Sequence, residues 1–315
     1  MVHEPVYGYK GFNEDMTCRG FQYEVGQTYE HDRDIGLCKS GFHFCRNMAD
    51  VLNYYRRNDC RYAVVEALGK VIDGEHKSVT DKLHIVRELT REEVFKEMAV
   101  GAGISLEYSP FPADELIKAR ENGTLDKLLP SGTEFPVRFS NGEWNVLVVC
   151  RNRDHTCLVT KYLMTEYFAM NNSMTNEGGW PACRMREHVQ KIYNMLPEDI
   201  RKVIVPMHIK QLARGTAVEC DDMAFLLSAT NVFGEHARDS EADCDDTQLD
   251  IFRKPAVRIK KHLGASDTSW WWLRSANDTG SFNFVNSGGD ISIIGAYIEA
   301  GVVVGFCIED RGSRN

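Results

Sequence analysis

The chain has 315 residues, 43% of them hydrophobic, which suffices for two domains with apolar cores. Its formal net charge of −9 and pI near 5.6 argue against a nucleic-acid partner, which needs a clustered basic face to displace counterions, and leave protein, glycan or small-molecule partners. No window of about 18 apolar residues is present to span a membrane, and Met-Val-His-Glu-Pro at the start lacks the charged-then-apolar pattern of a secretory signal, so synthesis in the cytoplasm without a signal peptide or membrane insertion is expected.

From Tyr7 to about Thr90 the sequence is rich in strands and turns. Phe21–Val25 between Gly20 and Gly26, Phe42–Cys45 after Gly41, and Tyr62–Leu68 before Gly69 read as strands. Met48–Tyr55 reads as a short helix with Val51, Leu52 and Tyr55 on one side. Residues 1–90 are therefore expected to form a small α+β domain. Thr90 and Glu93 have the spacing of a capping box and open a helix to about Val100, where Gly101-Ala102-Gly103 interrupts it. Ala113–Asn122 reads as another helix, ended by Gly123. The stretch 91–127 is expected to be a helical connector to a second domain, 128–315.

In that second domain Thr133–Phe139, Trp144–Cys150 and Thr156–Leu163 read as successive strands, the first two joined through a Ser140-Asn141-Gly142 turn. Cys183–Leu196 is the clearest helix, because Met185, Val189, Ile192 and Leu196 fall four, three and four apart and make one apolar stripe. Pro197-Glu198-Asp199 suits the first turn of a helix through Val203. Met223–Ser228 and Val302–Ile308 are candidate buried strands. The fold class expected is α+β.

Little in the sequence assembles into catalytic chemistry. Cys18, His31, Cys38, His43 and Cys45 are metal-binding residue types, yet no Cys-x-x-Cys or His-x-x-x-His spacing places two ligands on one short turn. His43 and Cys45 share the strand face opposite Phe42 and Phe44, as a core histidine and an inert thiol would. The alternating carboxylates Asp239, Glu241, Asp243, Asp245 and Asp246 lack the glycine and terminal bidentate Glu of the familiar calcium loop and read as a solvated segment. No Walker loop, Gly-x-Ser-x-Gly elbow or His-Glu-x-x-His motif is present. No catalytic residue, metal or cofactor is assigned. Ten scattered cysteines predict reduced, mostly buried thiols and no obligatory disulfide.

The most informative stretch runs from Trp270 to Ile308. Three successive Trp residues cannot all enter one core, because a strand sends alternate side chains to opposite faces, so one of Trp270–Trp272 is expected near the surface or bridging to a neighbouring layer. Arg274, in a largely apolar context, must pair or hydrogen-bond broadly and is assigned a structural role. Between Asn277 and Ala300 there is no Lys, Arg or Pro, and adaptable Ser, Asn and Gly residues mix with a few rigid aromatics, the composition of a recognition surface. Phe284, Ile293, Ile294 and Tyr297 are its expected hot spots.

Here the sequence resembles a known pattern. Trp271-Trp272-Leu273-Arg274-Ser275, Phe282, Val285, Gly289, Ile291, Ala296 and Gly301–Ile308 are similar to the C-terminal domain of bacterial and phage proteins with a C-type-lectin-like, formylglycine-generating-enzyme-like fold. Phe225-Leu226-Leu227-Ser228 with Val232 and Gly234, and Gly178-Gly179-Trp180 leading into Met185-Arg186, fit the same pattern, so the resemblance spans roughly 128–310. Within that fold, variable proteins of diversity-generating retroelements carry mutable positions near the C-terminus, where an adenine-rich template makes Asn codons change.

The resemblance implies a scaffold that includes Trp271, Trp272 and Arg274. It also implies a diversified, ligand-binding set of Asn277, Asp278, Gly280, Ser281, Asn283, Phe284, Asn286, Gly288, Asp290, Ser292, Ile293, Ile294, Gly295, Tyr297 and Ile298. Lys10-Gly11-Phe12, Cys18–Tyr23, Gly41–Cys45 and the Val65–Gly69 run resemble an uncharacterised domain common in phage and prophage proteins. Together these imply a phage or prophage protein that is not an enzyme and recognises a protein or glycan receptor on a bacterial cell surface, in association with the virion. Two alternatives stay open at this point. One is an enzyme, with an ADP-ribosyltransferase-like N-terminal domain or a formylglycine-enzyme-like cysteine. The other is a purely structural virion component.

Overall fold

The computed structural model describes residues 4–56, 59–107, 109–234, 247–277 and 280–310. Helices and several small sheets make an α+β protein. The chain divides into two compact units, Met1–Glu107 with His262–Asp267, and Tyr108–Lys261 with Thr268–Asn315.

In the first unit, Val6–Phe12 pairs antiparallel with Arg61–Ala67, that strand with Lys82–Leu89, and that one with Thr28–Glu30 at the far edge. Ala63, Val65 and Ala67 are buried at every second position of their strand, the period that the pleat imposes. They meet Leu83, Ile85, Phe12, Tyr23, Phe42 and Phe44 in a single core. A second sheet orders Phe42–Phe44, Ser78–Thr80 and Val71–Asp73.

The helix Arg91–Gly101 opens on the expected capping box. The Glu93 carboxylate accepts from the Thr90 amide (2.8 Å) and the Thr90 hydroxyl accepts from the Glu93 amide (3.3 Å). Its buried side, Val94, Phe95, Met98 and Ala99, belongs to the first unit, whereas the helix Ala113–Glu121 belongs to the second. The stretch 91–127 thus divides between the two units instead of standing apart as a connector, because each of its helices has an apolar side that must be covered. The first unit also takes in His262–Asp267. The Gly264 carbonyl accepts from Asn47 Nδ2 (2.7 Å), and the Ser266 amide donates to Asp50 (2.9 Å).

The second unit is built on a five-stranded antiparallel sheet in the order Glu134–Arg138, Trp144–Arg151, His155–Thr160, Val304–Asp310, Phe225–Leu226. Val304–Asp310 therefore lies inside the sheet, with Phe306 opposite Leu158 on one side and Gly305 opposite Phe225 on the other. The helix Arg184–Met195 buries Met185, Val189 and Ile192, the stripe read from their spacing. A hairpin that the sequence reading did not anticipate, Met207–Ala213 with Thr216–Asp222, buries Met207, Ile209, Gln211 and Ala213. Gln211 uses both ends of its amide, accepting from the Trp180 backbone N–H (2.8 Å) and donating to the Arg274 carbonyl (2.8 Å).

Lys260 is buried in this unit, its Nζ donating to the Lys161 carbonyl (3.1 Å) above the Phe252 ring. Burial pushes its ammonium down to about 8 from the ordinary 10.5. Below pH 8 both folded and unfolded chains carry the charge, and the fold bears the full desolvation cost. Between 8 and 10.5 the unfolded chain holds a proton that the folded one has released, so stability rises with pH. Lys260→Met is expected to raise the unfolding free energy at neutral pH by about 2 kcal/mol. Urea unfolding repeated across this pH range should show that gain shrinking, and a gain independent of pH would contradict the assignment.

Candidate ligand-binding surface

The frame of the candidate surface is the strand Trp271–Ala276, paired with Ser281–Val285, which in turn pairs with Ile291–Gly295. Trp271 and Trp272 point to opposite faces and both are fully buried. The Trp271 indole N–H donates to the Arg258 carbonyl and that of Trp272 to the Phe168 carbonyl, each at 2.9 Å. Trp270 is the half-buried member of the three, edge-on to Phe284 at 5.2 Å.

Arg274 is buried. Its Nη1 donates to the Leu226 carbonyl (2.9 Å) and to Asn231 Oδ1 (3.1 Å), and the guanidinium lies over the Phe225 ring. Asn231 is in turn fixed by a reciprocal cap with Ser228. A second buried anchor stands beside this one. Asp222 accepts from the Trp180 indole N–H (2.7 Å) and from Arg186 Nε (2.8 Å), so the Gly178-Gly179-Trp180 and Met185-Arg186 stretches meet on one carboxylate.

The candidate binding positions do not share one environment. Asp278 lies outside the described residues, as does the acidic run from Asp239 to Asp246. Gly280, Ser281, Asn283 and Phe284 are buried, and the expectation that they stand outward is corrected. The reason is topological: Ser281–Val285 is the central strand of its sheet, and all five of its residues are covered. Asn176 fixes its start, Nδ2 donating to the carbonyls of Asn277 and Ser281. Phe284 packs edge-on against Trp270 and Trp272, so it is a frame residue and not a hot spot. Asn286 is partly buried and shapes a turn, its Oδ1 accepting from the amides of Gly288 (2.9 Å) and Asp290 (3.0 Å).

What remains at least partly at the surface is the third strand and the turns on either side of it. Ile293 is 38% exposed and Tyr297 52%. Gly288 and Asp290 are exposed, while Asn277, Ser292, Ile294, Gly295 and Ile298 are half-buried, with Ile294 and Ile298 leaning on the core. Met174, 60% exposed, joins them. A Cβ built at Gly295 would come within 2.9 Å of the Tyr297 ring and 3.8 Å of Met174 Cγ, so the tyrosine closes over this glycine with the methionine alongside. Met174 was missed by the sequence reading. The available signal was an unbranched apolar residue alone in the polar run Asn171–Asn176.

Asn283 is fully buried, and neither its amide nitrogen nor its oxygen has a hydrogen-bond partner among the described residues. Leaving such a group unpaired costs about 1–3 kcal/mol. Asn283→Leu, close in shape, is expected to raise stability by about 1–2 kcal/mol. A higher urea midpoint at unchanged slope would show it, and a lower midpoint would mean that the amide is satisfied after all.

The remaining candidates fall elsewhere. Cys307 is fully buried in the inner strand, its thiol donating to the Glu309 carbonyl (3.2 Å), so no substrate reaches it in this fold. His43 Nε2 accepts from the Cys38 amide (2.9 Å). Among the described residues no helix is long and apolar enough to cross a membrane.

Two family models match parts of the chain. One, a domain of unknown function (DUF7666), matches residues 6–97; the other, a domain of unknown function (DUF6273), matches residues 154–310. No curated protein and no solved structure matches. The first match falls within the first unit and stops inside the helix Arg91–Gly101. The second begins at the strand His155–Thr160 and takes in the Trp frame, the Ile291–Gly295 strand and the inner strand Val304–Asp310.

Proposed function

We propose that this chain is a ligand-recognition protein whose second unit is a C-type-lectin-like domain of the kind carried by diversity-generating retroelement variable proteins. On this reading it is encoded by a phage or prophage, associates with the virion, and recognises a protein or glycan on a bacterial surface. The observation that carries the proposal is the exposed apolar group of Ile293, on the third strand, with Tyr297 and Met174 in the turn and bend beside Gly295, next to a sheet whose first strand holds the buried Trp271, Trp272 and Arg274. Exposed apolar side chains gathered over a rigid base mark an interaction site. The unpaired amide of Asn283 also supports it, because a residue at odds with its surroundings is expected where something other than packing selects the side chain.

The surface is accordingly narrower than the sequence suggests, centred on Asp290, Ser292, Ile293, Gly295 and Tyr297. Sequencing the 3′ end of the gene across its host population is the test. Substitutions should concentrate at these codons and at position 283, with Trp271, Trp272 and Arg274 constant. Changes spread evenly along the gene would remove the proposal.

A further inference from the structure

The first unit holds a half-open cavity of about 740 Å³, within the range of roughly 300–1,000 Å³ typical of small-molecule sites. Its floor is set by an unusual choice on the strand Val6–Phe12. Lys10 and Phe12 point to the same side, so a lysine occupies a core position, 5% exposed. The Lys10 ammonium donates to the His43 carbonyl (2.8 Å), stands 3.6 Å from Cys18 Sγ, and lies over the Tyr23 ring at 5.1 Å. An ammonium has three protons, and these two acceptors leave one for the cavity.

Among the described residues, the titratable and charged groups that interact with Lys10 are the thiols of Cys18 and Cys45, the guanidinium of Arg19 and the imidazole of His43, none of them a carboxylate. Burial therefore pushes its ammonium toward losing the proton, and a bound anion would offset that cost. Cys18 is held in place by the Tyr55 hydroxyl, which donates to Sγ at 2.9 Å. Tyr55 reaches it because Gly11 has no side chain: a Cβ there would stand 2.5 Å from the tyrosine ring.

The walls are aromatic and the rim is cationic. Tyr23 and Phe42 line the interior, while Phe21 and Tyr54, also lining it, remain 45% and 50% exposed. Phe21 meets Tyr23 edge-on at 4.8 Å, and Lys77 Nζ sits 4.9 Å from the Tyr54 ring centre. Lys10, Arg19, Lys39 and Lys77 contribute four cations against the single carboxylate Glu30, which Lys82 already engages at 2.5 Å. A chain of net charge −9 has gathered positive charge at one concavity.

We propose that this cavity binds a small planar aromatic anion, its charge meeting the Lys10 ammonium and its ring lying among Tyr23, Phe42, Phe21 and Tyr54. A mononucleotide and an aromatic carboxylate share this chemistry. The full chain should bind the fluorescent anion 8-anilinonaphthalene-1-sulfonate saturably, and displacement by AMP or by indole-3-carboxylate tells which anionic group the site takes. Lys10→Met should weaken binding of the sulfonate at least about tenfold and leave that of uncharged N-phenyl-1-naphthylamine unchanged. Phe21→Ala and Tyr54→Ala, each at a half-exposed position, should each weaken the sulfonate about threefold while urea unfolding shows the chain still folded. Saturation should slow iodoacetamide alkylation of Cys18, read by peptide mass mapping, and spare Cys60, which lies outside the cavity. Equal affinity for the uncharged probe, indifference to all three substitutions, or unprotected Cys18 would each overturn the proposal.

Discussion

Replacing Trp272 by alanine should lower the unfolding free energy by about 3–5 kcal/mol, the range for removing a fully buried aromatic. The indole is fully enclosed, its N–H spent on the Phe168 carbonyl, and Phe284 packs edge-on against it from the neighbouring strand. Its loss would leave a void in the core and take the indole donor from the part-buried Phe168 carbonyl. Tyr297→Ala, on the same sheet system but about half exposed, should change stability by no more than about 0.5 kcal/mol. Urea unfolding of the full chain reads both. Equal costs at the two positions would dissolve the distinction between an unyielding frame and a replaceable surface, on which the recognition proposal rests.

The second large effect is expected at Asp222. Its carboxylate is buried and serves three donors, the Trp180 indole, the Arg186 guanidinium and the Cys220 thiol. Asp222→Ala should cost about 3 kcal/mol, because a buried indole N–H and a partly covered guanidinium would both lose their acceptor. Arg186 is partly solvated, so water recovers some of its share. A double-mutant cycle with Arg186→Met isolates the ion pair from the indole bond. Additive costs would mean that the two side chains act separately and that Trp180 alone depends on the carboxylate.

Local signals proved legible where one face of one element carried them. The Met185, Val189, Ile192 stripe and the Thr90–Glu93 cap are such cases, each written within a few residues. The hairpin Met207–Ala213 with Thr216–Asp222 was harder to see. Its inward row includes Gln211, a polar residue in a buried position, and its turn places Arg214 and Gly215 at positive φ, where Asn-Gly would have announced it. The candidate surface was legible in composition but not in depth. Ser281 and Asn283 look like outward residues, yet they lie on a central strand, and strand order is a property of the whole sheet. The cavity of the first unit was invisible for a related reason: Lys10, Cys18 and Tyr55 are spread along the chain, and only the folded sheet turns them toward one another.

The place of Val304–Asp310 also governs how the protein can be made. The second unit's main sheet closes only after that segment leaves the ribosome, since it fits between two partners translated long before it. Until then His155–Thr160 and Phe225–Leu226 each present an open edge, a template for pairing with other chains. Folding of this unit is therefore largely post-translational. A reading frame broken anywhere in the Asn277–Ala300 stretch would omit the closing strand and deliver an aggregation-prone product instead of a folded variant, so the architecture screens its own coding errors.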